Sequence, residues 1–389
     1  MDICFLPAWF YDIRGEGGGL FFQEQALAMQ AVVEKVSVFY PALEPRYWGP
    51  EKWSLTQTHQ VAVFKYQGFS FPKRITPLLC YYRRQIATSF AIFLQYREGK
   101  LPDLIHAHSL WGAYAALVIK EKWGIPFVYT EHLSKWTATD YNLPRRHLHL
   151  LKHIQQRADL VTAVSRRLAD KINEACQTQT TLVTPNMVDT DFFTLPATKN
   201  NKPKVFHLIS IGDPWHKKGL DILLEAVGIA QRQTPTQLKL TLVDRIPDRP
   251  PLLALIQKHQ LDQQVHFAGR LNREALRAVL QQQDLLVSAA RIESFGITMI
   301  EALACGVPVI ATKTAGSLDI LRPGYGVLVE QENPAQLAAA ILQQVNSGPE
   351  LPPAALAQFA EENYGKPAFC ARWLTHYAAI LDPTNAPRP

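Results

Sequence analysis

Residues Ala290–Ile320 read ARIESFGITMIEALACGVPVIATKTAGSLDI, a loop that leads into a helix and then into a short strand. Gly296 opens the predicted helix, the apolar residues after it form the body, and Gly306 is placed to end it. The run VPVIA that follows is typical of a strand buried on both faces. A helix start in this setting presents unpaired N–H groups and the positive end of the helix dipole, which together favour an anion.

Two glutamates flank this helix start. Glu293 precedes it and Glu301 lies about one turn inside it, so both carboxylates can reach a ligand that lies across the helix end. Acidic residues also favour the first turn of any helix, so the pair taken alone is more typical of a solvated cap. Carboxylates beside an anion site suit a ligand with phosphates in the middle and hydroxyl groups at both ends. A nucleotide sugar has that arrangement.

The whole block resembles the donor-sugar signature of the family 4 retaining glycosyltransferases, in which Glu, seven residues and Glu bracket a Phe-Gly and lead into EALACG and P-V-I-A-T. The resemblance implies a GT-B fold: α/β, with two doubly wound Rossmann-like domains facing across a cleft and a C-terminal helix that crosses back to the first domain. It also implies that Glu293 hydrogen-bonds hydroxyl groups of the donor sugar and that Glu301 accepts from the ribose hydroxyls. The backbone of Phe295, Gly296 and Ile297 would hold sugar and phosphate.

Length and composition are those of a globular chain with two cores. The 389 residues, 47% of them hydrophobic, are enough for two domains. The 40 basic and 34 acidic side chains leave a charge of +6, which does not by itself indicate nucleic-acid binding, and no basic stripe or base-reading motif accompanies it. The five cysteines are scattered without metal-ligand spacing and indicate free thiols in a reducing compartment.

Short apolar runs alternate with helical segments along the chain, which predicts parallel sheets covered on both faces, with ligands beyond the carboxyl ends of the strands. The irregular polar segment 185–204 is the natural domain boundary. We predict an N-terminal Rossmann-like domain over 1–190, which the resemblance makes the acceptor domain, and a C-terminal Rossmann-like nucleotide-sugar domain over 191–365. Residues 366–389 are predicted to form a helix packed on the N-terminal domain and a frayed tail.

A glycine-rich segment follows the first predicted strand and precedes a helical run. Glycines there allow close backbone approach to a phosphate or an acceptor, and they equally suit a plain flexible turn. The segment lacks the GxGxxG order and a following acid, so we do not interpret it as a dinucleotide site. The family's first-domain glycine loop lies here, which implies ligand contacts from Gly17, Gly18 and Gly19.

Histidines occur at the ends of two predicted strands of the first domain. His106 and His108 point to the same face of their strand and could ligate a metal, but no third ligand cluster stands out. The resemblance implies that His108 touches the transferred sugar, and we expect His106 to be structural. His132 falls in the family's acceptor-side loop, with Glu131 placed to assist it. A surface ion pair explains Glu131 and His132 nearly as well.

In the second domain the first strand ends at Gly212, and Lys218 opens the next helix, where its ammonium can lie on a diphosphate. The family pattern carries an arginine and a lysine here. Lys218 matches, but Asp213 stands where the arginine is expected. One phosphate contact is then missing, and either another cation supplies it or donor affinity is weaker. The candidates are His216, Lys217 and Arg270, although Lys217 alone is typical of a solvated lysine. The resemblance also places Arg270 and Leu271 at the nucleotide base.

The resemblance implies transfer of a hexosyl or N-acetylhexosaminyl group from a UDP- or GDP-sugar to a hydroxyl of a glycan or lipid-linked acceptor, in cell-surface polysaccharide or glycoconjugate biosynthesis. Glu293, His108 and Lys218 would form the catalytic set. The one Asp-x-Asp sequence, Asp189-Thr190-Asp191, lies in the segment predicted as the domain boundary, and metal-independent transfer is expected. No cofactor is expected either, because the nucleotide sugar is a substrate.

Residues 46–85 are rich in aromatic and basic side chains, a composition that suits an anionic lipid surface or, equally, a helix docked by its aromatic side. The chain opens as a strand rather than as a signal peptide, and no apolar run approaches the roughly 20 residues that span a bilayer. We therefore expect a cytoplasmic protein, either free or peripheral on the inner face of the cell membrane.

Two other functions fit the same architecture. A GT-B epimerase or hydrolase would need a catalytic acid–base set that the motifs do not supply. A non-catalytic sugar-nucleotide-binding partner is favoured by Asp213, whereas Glu293, Glu301, Lys218 and His108 speak against it. Donor turnover distinguishes them, because an epimerase converts the donor without an acceptor and a binding protein converts nothing.

Overall fold

The computed structural model describes residues 1–9, 19–44, 50–58, 61–69, 79–138, 142–197, 205–212, 214–243, 250–382 and 384. The chain divides into two compact units. The first comprises residues 1–136, 142–184 and 370–389, and the second comprises residues 137–141 and 185–369. Gly17, Gly18 and Asp213, all singled out by the sequence, lie outside the described residues.

The first unit is built on an eight-stranded sheet with the order β3-β4-β2-β1-β5-β6-β7-β8. Neighbouring strands are parallel except for β3 against β4. The strands are β1 Asp2–Pro7, β2 Lys35–Glu44, β3 Lys52–Thr58, β4 Val61–Phe69, β5 Leu104–His108, β6 Phe127–Glu131, β7 Leu160–Ala163 and β8 Leu182–Val183. β3 was not predicted, because its sequence KWSLTQT is mostly polar and it lies at the edge of the sheet, where burial is not required.

Helices cover both faces of this sheet, as the alternating pattern predicts. They are α1 Leu20–Gln30, α2 Leu79–Tyr96, α3 Ser109–Trp123, α4 Arg145–Arg157 and α5 Arg166–Cys176, with a short 3-10 helix at Ser134–Thr137. α3 is apolar nearly all round and buries ten of its 15 residues, as expected for a helix at the centre of a layer. The first unit also contains the chain from Cys370 onward, where Trp373 and Tyr377 are fully buried.

The second unit has a six-stranded, entirely parallel sheet with the order β11-β10-β9-β12-β13-β14. Its strands are β9 Val205–Ile211, β10 Gln237–Val243, β11 Val265–Gly269, β12 Leu285–Ser288, β13 Val309–Thr312 and β14 Val327–Val329. Its helices are α6 Leu220–Gln231, α7 Pro250–Lys258, α8 Arg273–Leu280, α9 Ile297–Ala304, α10 Ala315–Ile320, α11 Pro334–Ser347, α12 Pro353–Tyr364 and the first turn of α13 Lys366–Leu381.

The parallel arrangement decides where polar loops collect. All six strands of the second unit run the same way, so the loops that follow β9, β11 and β12 lie along one edge of its sheet. In the first unit the ends of β5 and β6 are likewise adjacent, with His108 in register with Thr130. Both sequence-predicted groups of site residues therefore fall at carboxyl ends of strands.

Candidate functional site

The loop after β12 delivers Glu293 to the start of α9, as the sequence predicts. Gly296 is the N-cap of α9 and has a left-handed backbone (φ 100°), which glycine adopts without strain. The helix begins at Ile297, and Phe295 just before it is buried. The N-terminal N–H groups of α9 are thus presented beside the Glu293 carboxylate.

Lys218 and Glu293 form an ion pair, with Nζ of Lys218 2.8 Å from Oε2 of Glu293. Each side chain is only 16% exposed. Burial alone would raise the pKa of Glu293, but the ammonium groups of Lys218 and Lys217 more than offset it, and the pKa is lowered. The carboxylate is therefore ionised at neutral pH, and Lys218 has donors left for a second anionic group.

Lys217 differs from the solvated lysine that its sequence context suggests. It is partly buried, and burial together with repulsion from Lys218 lowers its pKa, while Glu293 acts in the opposite direction. A second cation therefore lies near the Lys218–Glu293 pair, which makes Lys217 a better candidate than exposed His216 for the charge that the family's arginine would supply.

Two glycines allow the loops to approach closely enough for this pair to form. Gly212 has a φ of 123°, and a Cβ atom there would lie 2.5 Å from Cε of Lys218. Gly219 has a φ of 63°, and its Cβ would lie 1.9 Å from the carbonyl oxygen of Ala289. A side chain at Gly219 would separate the β9 loop from the β12 loop, and a side chain at Gly212 would displace the Lys218 side chain. Gly212, predicted to bind substrate, therefore lies directly beneath the Lys218 ammonium.

Arg291 holds the two loops together, a role that sequence reasoning missed. Its guanidinium forms two 2.8 Å hydrogen bonds with Asp221 and donates to the carbonyl oxygen of His216 and to Glu332. Its backbone N–H donates to the carbonyl oxygen of Lys217 at 2.9 Å. The bidentate geometry with Asp221 fixes the turn that carries Lys217 and Lys218. Arg291 lies two residues before Glu293, but without a structure it is indistinguishable from a surface arginine.

Gly316 fixes the Glu293 segment from the other side. Its N–H, in the first turn of α10, donates to the carbonyl oxygen of Glu293 at 3.1 Å. A Cβ atom at Gly316 would lie 1.8 Å from the carbonyl oxygen of Phe295. The start of α10 is itself held by a capping box between Thr314 and Ser317.

The remaining predicted residues of the second unit lie along the same sheet edge. Glu301 is one turn into α9 and half-buried. Arg270 and Leu271 follow β11, which ends at Gly269, and Arg270 is exposed. β11 is separated from β9 by β10, so these two residues lie further along the edge from Lys218.

In the first unit, the structure brings His108 and His132 together. Nδ1 of His108 is 3.0 Å from Nε2 of His132, and both side chains are buried. Within the described residues, Nε2 of His108 is a buried nitrogen with no hydrogen-bond partner. Phe22, in the first turn of α1, packs on both rings, at 4.6 Å from His108 and 5.4 Å from His132. Gly19, the N-cap of α1 with a φ of 109°, lies three residues before it.

Glu131 organises the loop that carries His132. Its Oε1 accepts hydrogen bonds from the N–H groups of His132 and Leu133 at 2.7 and 2.8 Å, and its Oε2 accepts from the Tyr129 hydroxyl at 2.6 Å. Glu131 is fully buried and His132 only 8% exposed, so a surface ion pair is the wrong explanation for these two residues. Burial raises the pKa of Glu131. Its role is to cap the β6 end and orient the backbone of His132.

His106 is held by a hydrogen-bonded chain that determines its tautomer. The Thr162 hydroxyl donates to the carbonyl oxygen of Tyr129 at 3.4 Å, so the Thr130 hydroxyl must donate to Thr162, which is 2.8 Å away. Thr130 then accepts from the Nε2–H of His106 at 2.8 Å. The Nδ1 of His106 is left as an acceptor for the Tyr377 hydroxyl at 2.6 Å.

Tyr377 and Trp373 therefore tie α13 to the imidazole cluster. The Trp373 ring is 4.2 Å from the ring of His106, which in turn stacks on His108 at 4.2 Å and 25°. The neutral Nε2–H tautomer of His106 satisfies both ring nitrogens. This arrangement matches the structural role expected for His106 and accounts for its complete burial.

Replacing Tyr377 by phenylalanine removes the donor to Nδ1 of His106 and leaves that buried acceptor unpaired. We expect the free energy of unfolding to fall by about 1–3 kcal/mol, with little change in packing. Chemical denaturation followed by circular dichroism measures the change. Tyr96→Phe serves as the control, because Tyr96 is 49% exposed and its variant should differ by less than about 0.5 kcal/mol. Equal effects from the two variants would contradict the hydrogen-bonded chain.

Acid is expected to destabilise the first unit through its three buried imidazoles. Burial lowers the pKa of His132 to about 3, and burial together with neighbouring histidines lowers the pKa of His106 and His108 well below the usual value. The folded state therefore binds fewer protons than the unfolded state below a pH of about 6.5. Stability is fully present above that pH and is lost as the pH falls toward 3.

Between pH 7.5 and 5.5 the expected loss is roughly 1 kcal/mol for each imidazole, or a few kcal/mol for the three. Hydrogen exchange of β5 and β6, corrected for its intrinsic pH dependence, measures the loss in this unit. His132→Gln should remove about a third of the loss, and substitution of exposed His266 should leave it unchanged. A first unit that is equally stable at both pH values would show that the imidazoles are not held neutral.

Comparison with known proteins agrees with this architecture. The model for glycosyltransferase family 4 matches residues 17–192, and the model for glycosyl transferases group 1 matches residues 191–362. Among solved structures, sucrose-phosphate synthase from Thermosynechococcus elongatus has a TM-score of 0.77 at 18% identity and covers 98% of this chain and 99% of its own. HepE from Anabaena, in complex with UDP and glucose, has a TM-score of 0.71 at 19% identity and covers 97% of this chain and all of its own.

Curated relatives are similar over shorter stretches. D-inositol 3-phosphate glycosyltransferase from Pseudarthrobacter chlorophenolicus is 28% identical over 257 residues, which are 61% of each chain. N-acetyl-alpha-D-glucosaminyl L-malate synthase from Bacillus anthracis is 28% identical over 298 residues, which are 73% of each chain. The chain thus spans about three fifths of the length of the first of these relatives.

The chain belongs to glycosyltransferase family 4 and has the GT-B fold that the sequence predicts. In the described part of the chain, no helix combines the length and apolar character needed to cross a membrane. Nor do the described residues contain a group of three or more His, Cys, Asp or Glu side chains that could hold a metal ion.

Proposed function

We propose that this protein is a retaining glycosyltransferase that moves a sugar from a nucleotide-diphosphate sugar to a hydroxyl of a glycan or lipid-linked acceptor. The proposal includes a UDP- or GDP-linked hexosyl or N-acetylhexosaminyl donor, metal-independent transfer and a cytoplasmic location. The pathway proposed is the synthesis of a cell-surface polysaccharide or glycoconjugate.

The observation that carries this proposal is the Lys218–Glu293 pair beside the start of α9. A diphosphate needs cations and N–H donors, and a sugar needs hydrogen-bond acceptors. Lys218 and the N-terminus of α9 supply the first set, and the ionised Glu293 carboxylate supplies the second. Lys218 is paired with Glu293 at 2.8 Å, and Glu293 lies three residues before Gly296, the N-cap of α9; Arg291, Gly219 and Gly316 hold these segments together.

In the proposed reaction the bond between the anomeric carbon and the diphosphate oxygen breaks, and a bond from that carbon to the acceptor oxygen forms on the same face. The acceptor's proton passes to the departing phosphate oxygen, so no protein base is required. Lys218 stabilises the charge that develops on the leaving group, and Glu293 orients the sugar. His108, with its unpartnered Nε2, is proposed to contact a hydroxyl of the transferred sugar.

Proteins of similar sequence or fold support the donor class. HepE binds UDP, glucose and UDP-glucose in its solved complexes. The named relatives transfer to D-inositol 3-phosphate and, with an N-acetylglucosaminyl group, to L-malate. Hexose and N-acetylhexosamine nucleotides linked to UDP are therefore the first donors to test, followed by GDP-sugars.

The test is donor turnover with and without acceptor. Purified protein is incubated with UDP-glucose, UDP-N-acetylglucosamine or GDP-mannose, alone and with a lipid and glycan extract, and nucleoside diphosphate release is measured. Release that depends on the extract, with sugar incorporated at retained anomeric configuration, supports the proposal. Donor conversion without extract would indicate the epimerase or hydrolase alternative. Donor binding without any conversion would indicate the non-catalytic alternative that Asp213 favours.

A further inference from the structure

The positive charge of this protein is concentrated in its first unit. That unit carries 23 Lys and Arg against 15 Asp and Glu, whereas the second unit carries 17 against 19. The formal charges are therefore +8 and −2, although the whole chain is only +6. Nothing in the donor-binding arrangement of the second unit explains an excess of cations on the first.

Helix α4 is the most one-sided part of that excess, so the expectation that the chain has no basic stripe is wrong. Its sequence RRHLHLLKHIQQR contains four Arg or Lys and three His, and no acidic residue occurs from Asn142 to Ala158. Leu151 and Ile154 are buried, and α4 packs against α3 and α5. The opposite face is exposed and consists, at helical spacing, of Arg145, Arg146, His149, His153, Gln156 and Arg157. This set of six residues is called the α4 face below.

The three arginine side chains of the α4 face have no polar partner among the described residues, since none of them takes part in a hydrogen bond or an ion pair there. Two acids lie beside the face, and both have other partners: Glu121, 3.8 Å from His153, is hydrogen-bonded by Arg83, and Asp159 is paired with Lys120 at 2.7 Å. Arg145 and Arg146 also lie in the first turn of α4, at the positive end of its dipole, where basic residues are unfavourable. An arrangement that costs stability and serves no hydrogen bond or ion pair within the described part of the chain favours an external anionic partner.

We propose that the α4 face docks the protein on an anionic lipid surface through the phosphates of the headgroups. The face is the exposed side of a helix of 13 residues, about 20 Å long. The α4 face can contact the phosphates of a flat membrane surface. It would bind them by charge alone, because the apolar side of α4 is buried in the protein. The face carries no Phe, Tyr or Trp side chain, the large aromatic platforms on which single-stranded nucleic-acid bases usually stack.

The experiment is vesicle flotation of the full chain with phosphatidylcholine alone and with 30% phosphatidylglycerol added, at low and physiological salt. The protein is expected to float only with anionic vesicles, and less at higher salt. Each basic residue near an anionic surface strengthens partitioning about fivefold. The triple variant Arg145→Gln, Arg146→Gln, Arg157→Gln should therefore partition on the order of 100-fold less.

A matched control removes the same charge elsewhere, by glutamine substitution of Lys100, Lys239 and Lys258, which are all exposed. It should float like the wild type. Equal binding to neutral vesicles, an unaffected triple variant or an equally impaired control would overturn the proposal. So would displacement by duplex DNA at the concentration at which the vesicles bind, since the face would then be a general polyanion site. Vesicle binding is measured without donor, so failure here is distinguishable from failure of the proposed transferase activity.

Discussion

Glu293→Gln is expected to lower the rate of sugar transfer by about 100- to 1,000-fold, the loss typical of removing one preorganised electrostatic contact at a reacting centre. Glutamine has the same size but no charge. It would release the Lys218 ammonium from its 2.8 Å ion pair and offer the sugar a weaker acceptor. The rate constant should fall more than the apparent donor affinity, because Lys218 and the start of α9 still bind the diphosphate. Steady-state kinetics with a varied donor measures both.

Glu361→Gln is the matched control for this substitution. Glu361 is exposed on α12, and its variant should retain wild-type rates. Circular dichroism should show that both variants remain folded. A Glu293→Gln enzyme that keeps more than a tenth of the wild-type rate would remove Glu293 from the catalytic set.

Gly316→Ala is expected to disrupt the same site through the backbone. The added methyl group would lie 1.8 Å from the carbonyl oxygen of Phe295, so either α10 or the segment from Glu293 to Gly296 must move. Overpacking of this kind costs about 1–3 kcal/mol, and the unfolding temperature should fall by several degrees. The rate of sugar transfer should fall by more than the loss of folded protein alone would cause. The reason is that the hydrogen bond from the Gly316 N–H to the Glu293 carbonyl oxygen is displaced as well.

Leu318→Ala tests whether the effect is specific to Gly316. Leu318 lies in the same helix but is half-exposed, so its loss should alter neither the melting temperature nor the rate appreciably. If Gly316→Ala behaved like Leu318→Ala, the close packing of α10 on the Phe295 segment would not be needed for activity.

Much of the fold could be predicted because the local signals were strong. Parallel buried strands are nearly continuous apolar runs, and glycines mark the helix ends, as in β13 and at Gly296. β3 could not be predicted in this way, because an edge strand is not required to be apolar. The segment 185–204 has the composition of a linker, yet Asp189 forms ion pairs with Lys366 and Arg273 in the second unit. Ion pairs between distant positions leave no local pattern.

In the candidate site too, local motifs could be predicted from the sequence and contacts between distant positions could not. Glu293 and Lys218 stand in a dense motif, and the structure joins them, although 75 residues separate them in the sequence. Arg291 and Gly316 hold the segments that carry Glu293 and Lys218. They do so partly through contacts with residues distant in the sequence, so no local sequence spacing predicts their roles. The tautomer of His106 depends on Tyr377, 271 positions away. Sequence patterns therefore indicated the residues that are proposed for chemistry, and the structure was needed to find the residues that position them.

The most direct test of the account is a thermal-shift measurement with UDP-, GDP- and ADP-sugars, with free UDP and GDP as controls. A ligand that binds only the folded protein raises its unfolding temperature, by an amount equivalent to about 2.7 kcal/mol at 100 times the dissociation constant. We predict a shift selective for one nucleotide base that Glu293→Gln reduces and Glu361→Gln leaves intact. No shift with any nucleotide at millimolar concentration would contradict a donor site built on Lys218, Glu293 and the start of α9.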